Sequence, residues 1–420
     1  MDFTPSPRSA DLTARVRDFI DSRIDPVEAT ILADVQARRD RGENPWTVHP
    51  VIPELQALAR TQGLWNLFLP AGHEGPYAAR FGTDGGVGLS NVDYAPIAEQ
   101  TGRSSLAPLV FNCNAPDTGN MEVLLKYGSQ EQKDTWLEPL LAGRIRSAFL
   151  MTEPDVASSD ATTMAATARI EGDEVVLDGR KWWSTGVGHP DCAVGIFMGV
   201  TDPQAPKHAR HSMVLVPLDA PGVRIERVMP ALGQWDEPLG HGEVSLTGVR
   251  LPASAIIGGP GRAFAIAQGR LGPGRVHHCM RLIGLAERSL KSACERASTR
   301  VAFGKPLANL GGNRERLAEA RIAINQARLH VLHCAWKLDA FGVEGAASEV
   351  SEIKAAVPRM ACQVIDLAIQ LHGGAGVSAD TPLAAAYATA RALRLADGPD
   401  EVHLGVVARH LLRPYQTDQR

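Results

Sequence analysis

The sequence predicts an α+β multidomain chain: an N-terminal α-helical domain over 1–146, a middle antiparallel β-barrel over 147–260 and a C-terminal α-helical bundle over 261–420. Three observations predict it. Apolar residues recur at helical spacing through roughly the first 145 residues. From Ala148 to about Pro260 the period falls to two, with Gly-centred turns between runs, and from Gly261 onward the helical period returns. A length of 420 residues also exceeds one ordinary core and favours two or three domains.

Taken in order, Leu12, Val16, Phe19 and Ile20 share one face of a helical stretch between Ser9 and Arg39. Val51 to Gly63 repeats the pattern, Leu64 to Pro70 is an apolar run stopped by proline, and a Gly-rich connection leads to Leu89. Ser90 caps the next helix, and Ser129 followed by Glu131 starts another. The short runs Ala166–Ile170, Glu174–Leu177 and Arg180–Trp183 are separated by Gly172-Asp173 and Asp178-Gly179, both hairpin signals. Cys192–Thr201, Ser212–Leu218, Val223–Val228 and Gly242–Leu246 continue the strands. Helical segments follow over 261–298, 312–341, 347–372, 382–395 and 400–413. Gly272-Pro273-Gly274 breaks the first of them. Inside a helix Gly and Pro cost about 1 and 3 kcal/mol, so the break predicts an opening for a ligand beside Arg275.

The net charge is −4, with both signs interspersed, and leaves no electrostatic footprint for nucleic acid. Six cysteines stand far apart with no metal-ligand spacing, which predicts reduced thiols, no metal and a cytoplasmic setting. No apolar run reaches the roughly 18 residues of a membrane span. The N-terminus carries Asp2 and Asp11 and no signal-type apolar region.

The segment Phe149 to Ser159 sits where the period changes, and such junctions are favoured ligand sites. Thr152, Ser158 and Ser159 offer hydroxyls, Pro154 stiffens the turn and Ala157 leaves room for close approach; the plainer reading is a turn or cap cluster. Gly374-x-Gly376-x-x-Ala379 has the form of a dinucleotide fingerprint, but a helix precedes it. A helix C-cap at His372-Gly373-Gly374, with helix resuming at Thr381-Pro382, fits better, and its N–H groups still suit a pyrophosphate. Around Asp397, the run Leu395 to His403 reads as a helix start or as one carboxylate presented into apolar surroundings as a general base. Arg300 reads as a phosphate ligand or a helix-end cation. His277 and His278, about 100° apart on a helix, are no metal pair and read as packing or capping residues.

Met-Thr-Glu-Pro-x-x-x-Ser-Ser-Asp at 151–160, Lys-Trp-Trp-Ser-Thr at 181–185, Arg-x-x-Phe-Gly-Lys at 300–305 and Gln-x-x-Gly-Gly at 370–374 together resemble the acyl-CoA dehydrogenase family. The resemblance spans nearly the whole chain. The form Thr-Glu-Pro-Asp-Val-Ala-Ser-Ser-Asp and the ending Ala-Asp-Gly-Pro-Asp-Glu-Val-His are similar to the branch fused to a kinase-like phosphotransferase domain. The resemblance implies FAD between barrel and bundle. It implies the flavin ring against Phe149, Met151, Thr152, Trp183, Ser184 and Thr185, with Ser158 ending the flavin loop. Arg300, Gln370, Gly373 and Gly374 match positions for the pyrophosphate and adenosine end, with Asp400 and Glu401 as further cofactor positions. Ser159, Gly272, Gly274, Arg275 and Gly398 fall at substrate positions, and Asp397 at the base.

By the same resemblance the activity is α,β-dehydrogenation of an acyl-CoA to the trans-2-enoyl-CoA, with an electron-transfer flavoprotein as acceptor and a homodimer or homotetramer as the assembly. An acyl-CoA oxidase and a catalytically inert flavoprotein or nucleic-acid-binding relative are the rival readings. Two departures stand out. Most family members carry Glu where this chain has Asp397, shorter by about one C–C bond. A His-Gln pair common in the family is replaced by Leu310 and Gly311.

Overall fold

The computed structural model describes residues 2–73, 75–82 and 88–416, the side chains at 271 and 273 excepted. Residues 83–87, most of the Gly-rich connection, lie outside the described residues. Helices come first, then strands, then helices again, in the order the sequence predicts. By contact density the chain divides into two compact units. One combines the chain up to Asp21 with Ser90–Ala107 and everything from Arg275; the other holds Ser22–Leu89 and Pro108–Gly274.

The second unit is built on a seven-stranded sheet. Its strands are β1 (Arg146–Leu150), β2 (Thr167–Glu171), β3 (Glu174–Thr185), β4 (Cys192–Val200), β5 (His211–Pro217), β6 (Val223–Met229) and β7 (His241–Pro252). The expected closed antiparallel barrel is corrected here. β1 pairs with β4 in parallel, and β2 meets β4 in parallel at Thr167 and Val200. Two ladders, β1–β4–β5 and β2–β3–β7–β6, are joined through that contact and stay open. The hairpin β2–β3 intervenes between β1 and β4 in sequence and supplies the long crossover connection that a parallel pair requires. Both ladders contribute to one apolar core that includes Leu150, Leu177, Phe197, Val214, Val244 and Val249.

Gly172-Asp173 makes the predicted tight turn, with Gly172 at φ 69° and Glu171 opposite Glu174. Asp178-Gly179 does not: β3 runs straight through it, and the register against β7 shifts between Leu177 and Gly179. A bulge and a hairpin share the same residue signal. Here the glycine serves a close approach, since a Cβ on Gly179 would lie 2.4 Å from the Cβ of Ala166. Ser129 caps its helix as predicted, and the structure adds a reciprocal bond: the Gln132 N–H donates to Oγ of Ser129 and the Ser129 N–H to Oε1 of Gln132.

The helix Ala263–Thr299 corrects a second expectation, because its backbone is helical without interruption through residues 272–274. Propensity is overridden by tertiary packing: Ile266, Val276, Met280, Ile283, Leu290 and Ala297 on this helix are all buried.

In the first unit the helix Asn91–Thr101, capped by Ser90, packs at backbone distance on the long helix. A Cβ on Gly102 would stand 1.9 Å from the carbonyl of Arg281, and one on Gly284 1.8 Å from that of Glu99. Glu99 receives a fork from Arg328 of the helix Asn313–Gly345 at 2.9 Å on each oxygen. His277 is buried edge-on to Tyr94, ring centroids 4.8 Å apart.

Two outcomes follow from this packing. Gly284→Val drives a side chain into the Glu99 carbonyl and should lower stability by about 3 kcal/mol or more, read as a shift of the urea midpoint at constant slope; an unchanged midpoint would contradict the helix approach. Burial lowers the imidazoles of His277, to about 3, and His403, to about 4, in the first unit, and of His189, to about 3, in the second. The unfolded chain protonates these rings near 6.5, so as pH falls below that value it binds more protons than the folded state. Stability from these groups is therefore complete above neutrality and is lost from about pH 6.5 toward 4; a melting temperature level across that window would exclude them as buried neutral rings.

Candidate functional site

In the second unit the predicted site residues cluster around the loop that follows β1. This loop has no regular partner strand, so its backbone groups need other partners. Glu153, which sequence reasoning passed over, supplies them: its carboxylate accepts from the N–H groups of Ala165 at 2.8 Å and Ala166 at 3.0 Å. Nζ of Lys181 completes the arrangement, donating to Glu153 at 2.7 Å, to the Met151 carbonyl at 3.0 Å and to the Met198 carbonyl at 2.7 Å. Lys181 is fully buried, and burial lowers its amine to about 8 against the pull of Glu153. The Glu153 N–H donates to Oγ of Ser158 at 2.9 Å, and the Trp182 N–H to the Thr152 carbonyl at 2.9 Å. Ser158 thus closes the loop on itself, while Thr152 and Ser159 stay exposed.

Trp183 is turned outward by a second irregularity in β3. The register against β7 shifts between Lys181 and Ser184, and Trp183 has φ 52°. Left-handed backbone at a bulky residue is an outlier that points to function. The indole is 42% exposed, packed beside Trp182 and His241. Oγ1 of Thr185 lies 2.9 Å from Nδ1 of His241, a partner the sequence did not suggest. Ser184 points the other way: it is buried, and its hydroxyl has no hydrogen-bond partner among the described residues. Phe149 lies beneath the guanidinium of Arg270, 3.9 Å from ring centroid to Cζ.

In the first unit, Arg300 and the glycines come to one end of the helical bundle. Ala293 and Ala297 share an apolar cluster with Ala368 and Leu371, which brings the end of the long helix beside the end of the helix Ala347–His372. Arg300 is exposed there, next to a short hairpin with Phe303 at its tip. Gly373 ends its helix at φ 63°, and a Cβ on Gly373 or Gly374 would meet nothing within 4 Å, so this backbone is open. Gln370 is exposed one turn before it. Leu310 and Gly311 lead into the helix Asn313–Gly345 through two left-handed glycines, Gly311 and Gly312.

Asp397 stands apart, in the loop before the helix Asp400–Leu412. It adopts φ 57° and Gly398 φ 103°. Two side chains hold its carbonyl: Nε of Arg275 donates at 3.0 Å, and Nε2 of His403 lies 3.2 Å away. A Cβ on Gly398 would come within 2.9 Å of that imidazole, so residue 398 must be glycine for His403 to reach the carbonyl. The Asp397 carboxylate lies 3.4 Å from Nε2 of His278. The expected apolar surroundings are therefore corrected. Arg275 and Lys354 bring positive charge to the setting, and His278, read from sequence as packing or capping, stands at the carboxylate. Burial lowers Arg275 and Lys354, with Asp397 opposing in both cases. Asp400 is buried between Arg359 at 3.0 Å and Arg394 at 2.8 Å. Its burial, which raises the carboxyl, is outweighed by these hydrogen bonds, and the group is held below its ordinary range. Glu401 beside it is exposed.

Comparison with known proteins covers this whole arrangement. Residues 6–144, 148–249 and 261–412 match, in order, the N-terminal, middle and C-terminal domains of acyl-CoA dehydrogenase. The chain is 48% identical over 410 residues to probable acyl-CoA dehydrogenase FadE2 of Mycobacterium tuberculosis, covering 97% of this chain and 96% of that one. It is 49% identical over 409 residues to acyl-CoA dehydrogenase family member 11 of Gallus gallus, covering 97% of this chain but 51% of that protein. The chain thus spans about half the length of several curated relatives it matches, in agreement with the fused branch. A solved structure of a putative acyl-CoA dehydrogenase from Mycobacterium abscessus superposes with a TM-score of 0.93 at 65% identity, over 98% of this chain and all of that one. With every domain matched in sequence order and near-complete relatives at this identity, the chain belongs to the acyl-CoA dehydrogenase family.

Proposed function

We propose that this chain is an FAD-dependent acyl-CoA dehydrogenase, organised as domains 1–146, 147–260 and 261–420, that converts an acyl-CoA thioester to its trans-2-enoyl-CoA. The observation that carries the reading is Asp397, a single carboxylate on left-handed backbone whose carbonyl is tied down by Arg275 and His403. Strain of that kind persists only where surrounding structure imposes it, and it gathers at active sites. Asp397 takes the α-proton onto its carboxylate, and its fixed backbone sets where that carboxylate reaches.

The residues present suit FAD. The partly exposed Trp183, the Phe149 ring and the Thr152 and Thr185 hydroxyls offer aromatic and hydrogen-bonding groups for a flavin ring. Open glycine backbone at Gly373 and Gly374, with Arg300 and Gln370 nearby in the bundle, offers donors for a diphosphate. When bound, the flavin supplies a two-electron hydride acceptor for the β-carbon. Met151, Ser158 and Ser184 belong to the flavin side as residues that shape it, Asp400 and Glu401 stand at the bundle side, and Ser159, Gly272, Gly274, Arg275 and Gly398 at the acyl-CoA side. An electron-transfer flavoprotein as acceptor completes the cycle.

A homodimer or homotetramer goes with this reading. The last helix and the turn after it leave Leu404, Leu411, Leu412 and Tyr415 exposed, and Phe303 is 94% exposed. All six cysteines are free, which supports a cytoplasmic setting. No helix among the described residues is long and apolar enough to cross a membrane.

Asp397→Asn should retain FAD and lose about 10²-fold or more in the rate of flavin bleaching by acyl-CoA, measured by stopped-flow across straight, branched and hydroxylated acyl chains. Wild-type rates in the variant would refute the assignment. Lys181→Met leaves the Glu153 charge buried alone and should cost on the order of 3 kcal/mol, with the flavin-to-protein ratio after purification falling in step. Full flavin content at undiminished stability would show that the loop after β1 needs no such anchor.

A further inference from the structure

His278 lies three residues after Arg275 on the long helix, so both side chains leave the same face. Nε2 of His278 is 3.4 Å from Oδ2 of Asp397. Across the ring, Nη2 of Arg281 is 3.2 Å from Nδ1. A guanidinium only donates, so Nδ1 is the acceptor and the ring proton belongs on Nε2, facing the carboxylate. The outer arginine thus decides which nitrogen of His278 carries hydrogen. Both side chains are about one-fifth exposed, at 19% and 22%, so the contact is within reach of a ligand.

We propose that His278 is the positioning residue of the base: its Nε2–H, fixed in that tautomer by Arg281, holds the Asp397 carboxylate in one orientation and in its ionised form. The proposal rests on Asp397 being the base. Its chemistry follows from the donor inventory. A hydrogen bond to the charged form of a carboxylate favours that form, and an aspartate, a methylene shorter than glutamate, leaves less freedom to correct a misaimed carboxylate. A proton shuttle through the ring does not fit, because Nε2 already carries hydrogen and Nδ1 faces a group that cannot accept one.

Other titratable and charged groups surround this loop. From the long helix they are Arg275 and Arg281, with the Cys279 thiol, which burial pushes up to about 12. Lys354 comes from the helix Ala347–His372 and gives its ammonium to the Leu393 carbonyl at 2.5 Å. From the last helix come Asp400, committed to Arg359 and Arg394, and His403, whose imidazole burial lowers to about 4.

Three variants and a spectroscopic measurement test the proposal. In the FAD-loaded enzyme, His278→Leu should slow single-turnover flavin reduction about tenfold, the equivalent of one pKa unit, and move the acid limb of the rate profile to higher pH. KM and flavin content should change little. His278→Gln, which keeps an N–H donor, should restore most of the rate and return the acid limb. Nitrogen NMR of the imidazole should show the Nε2–H tautomer in the wild type and a mixed population in Arg281→Met. A Leu variant with the wild-type pH profile, or an Nδ1–H tautomer in the wild type, overturns the proposal. If no acyl-CoA reduces the wild-type flavin, the functional reading fails, and the NMR result still decides whether Arg281 sets the His278 tautomer.

Discussion

The geometry around Asp397 depends on one carbonyl oxygen, its own, held by Arg275 and His403. A residue with a side chain is disfavoured at positive φ, by about 1–3 kcal/mol for strained positions of this kind, and the loop 395–399 would relax without external ties. Arg275 comes from the long helix and His403 from the helix that follows the loop, so both ends of the constraint are anchored in regular structure. Gly398 makes the second tie possible by leaving space for the imidazole. The His403 ring is kept neutral by burial and can therefore serve as a plain donor. One backbone atom thus links helix packing to side-chain aim.

The loop after β1 solves the same problem with the opposite means. There irregular backbone is satisfied by a buried ion pair, Glu153 with Lys181, whose remaining hydrogen bonds all go to main chain. Such a pair is a poor source of stability, since desolvation consumes most of the attraction, but it is demanding about geometry. It suits a segment whose task is to keep one shape. Both loops are irregular, and each is fixed in part from regular structure, by Lys181 on β3 in one and by Arg275 and His403 on helices in the other, where positions are more exact than on loops.

Much of the architecture was legible because it is written in local signals. Ser90 and Ser129 cap helices where their side chains meet orphan N–H groups, and Gly172-Asp173 turns where the flanking strands alternate. The failures came where one local signal has two outcomes. Asp178-Gly179 serves a bulge as readily as a hairpin, and only the approach of Ala166 selects between them. Gly272-Pro273-Gly274 weakens a helix by propensity, yet burial on either side carries the helix across. The parallel pairing of β1 with β4 is a matter of topology, which residue periodicity does not encode. At the site, the positions of Asp397 and Trp183 stood out in sequence, while Glu153, Lys181, His241, His278 and His403 acquired their roles only through partners distant in the chain. Adjacent histidines at 277 and 278 show the limit well: one is buried against Tyr94 and the other reaches Asp397, a difference set by which helix face each occupies.

Around Asp397 the work is divided. Arg275 and His403 act on the backbone and fix where Cα and Cβ stand, while His278 acts on the carboxylate and fixes where its oxygens point. A glutamate would add one more torsion between those two controls, and the geometry would need a third restraint to remove it. With aspartate, a clamped backbone and a donor at the carboxylate act on few remaining torsions. The shorter side chain is then consistent with the loop that carries it: the positive φ angles at 397 and 398 give a backbone shape held at the Asp397 carbonyl, and a short side chain adds few torsions to it. Loop strain, the glycine at 398 and the histidine at 278 are accordingly parts of a single solution.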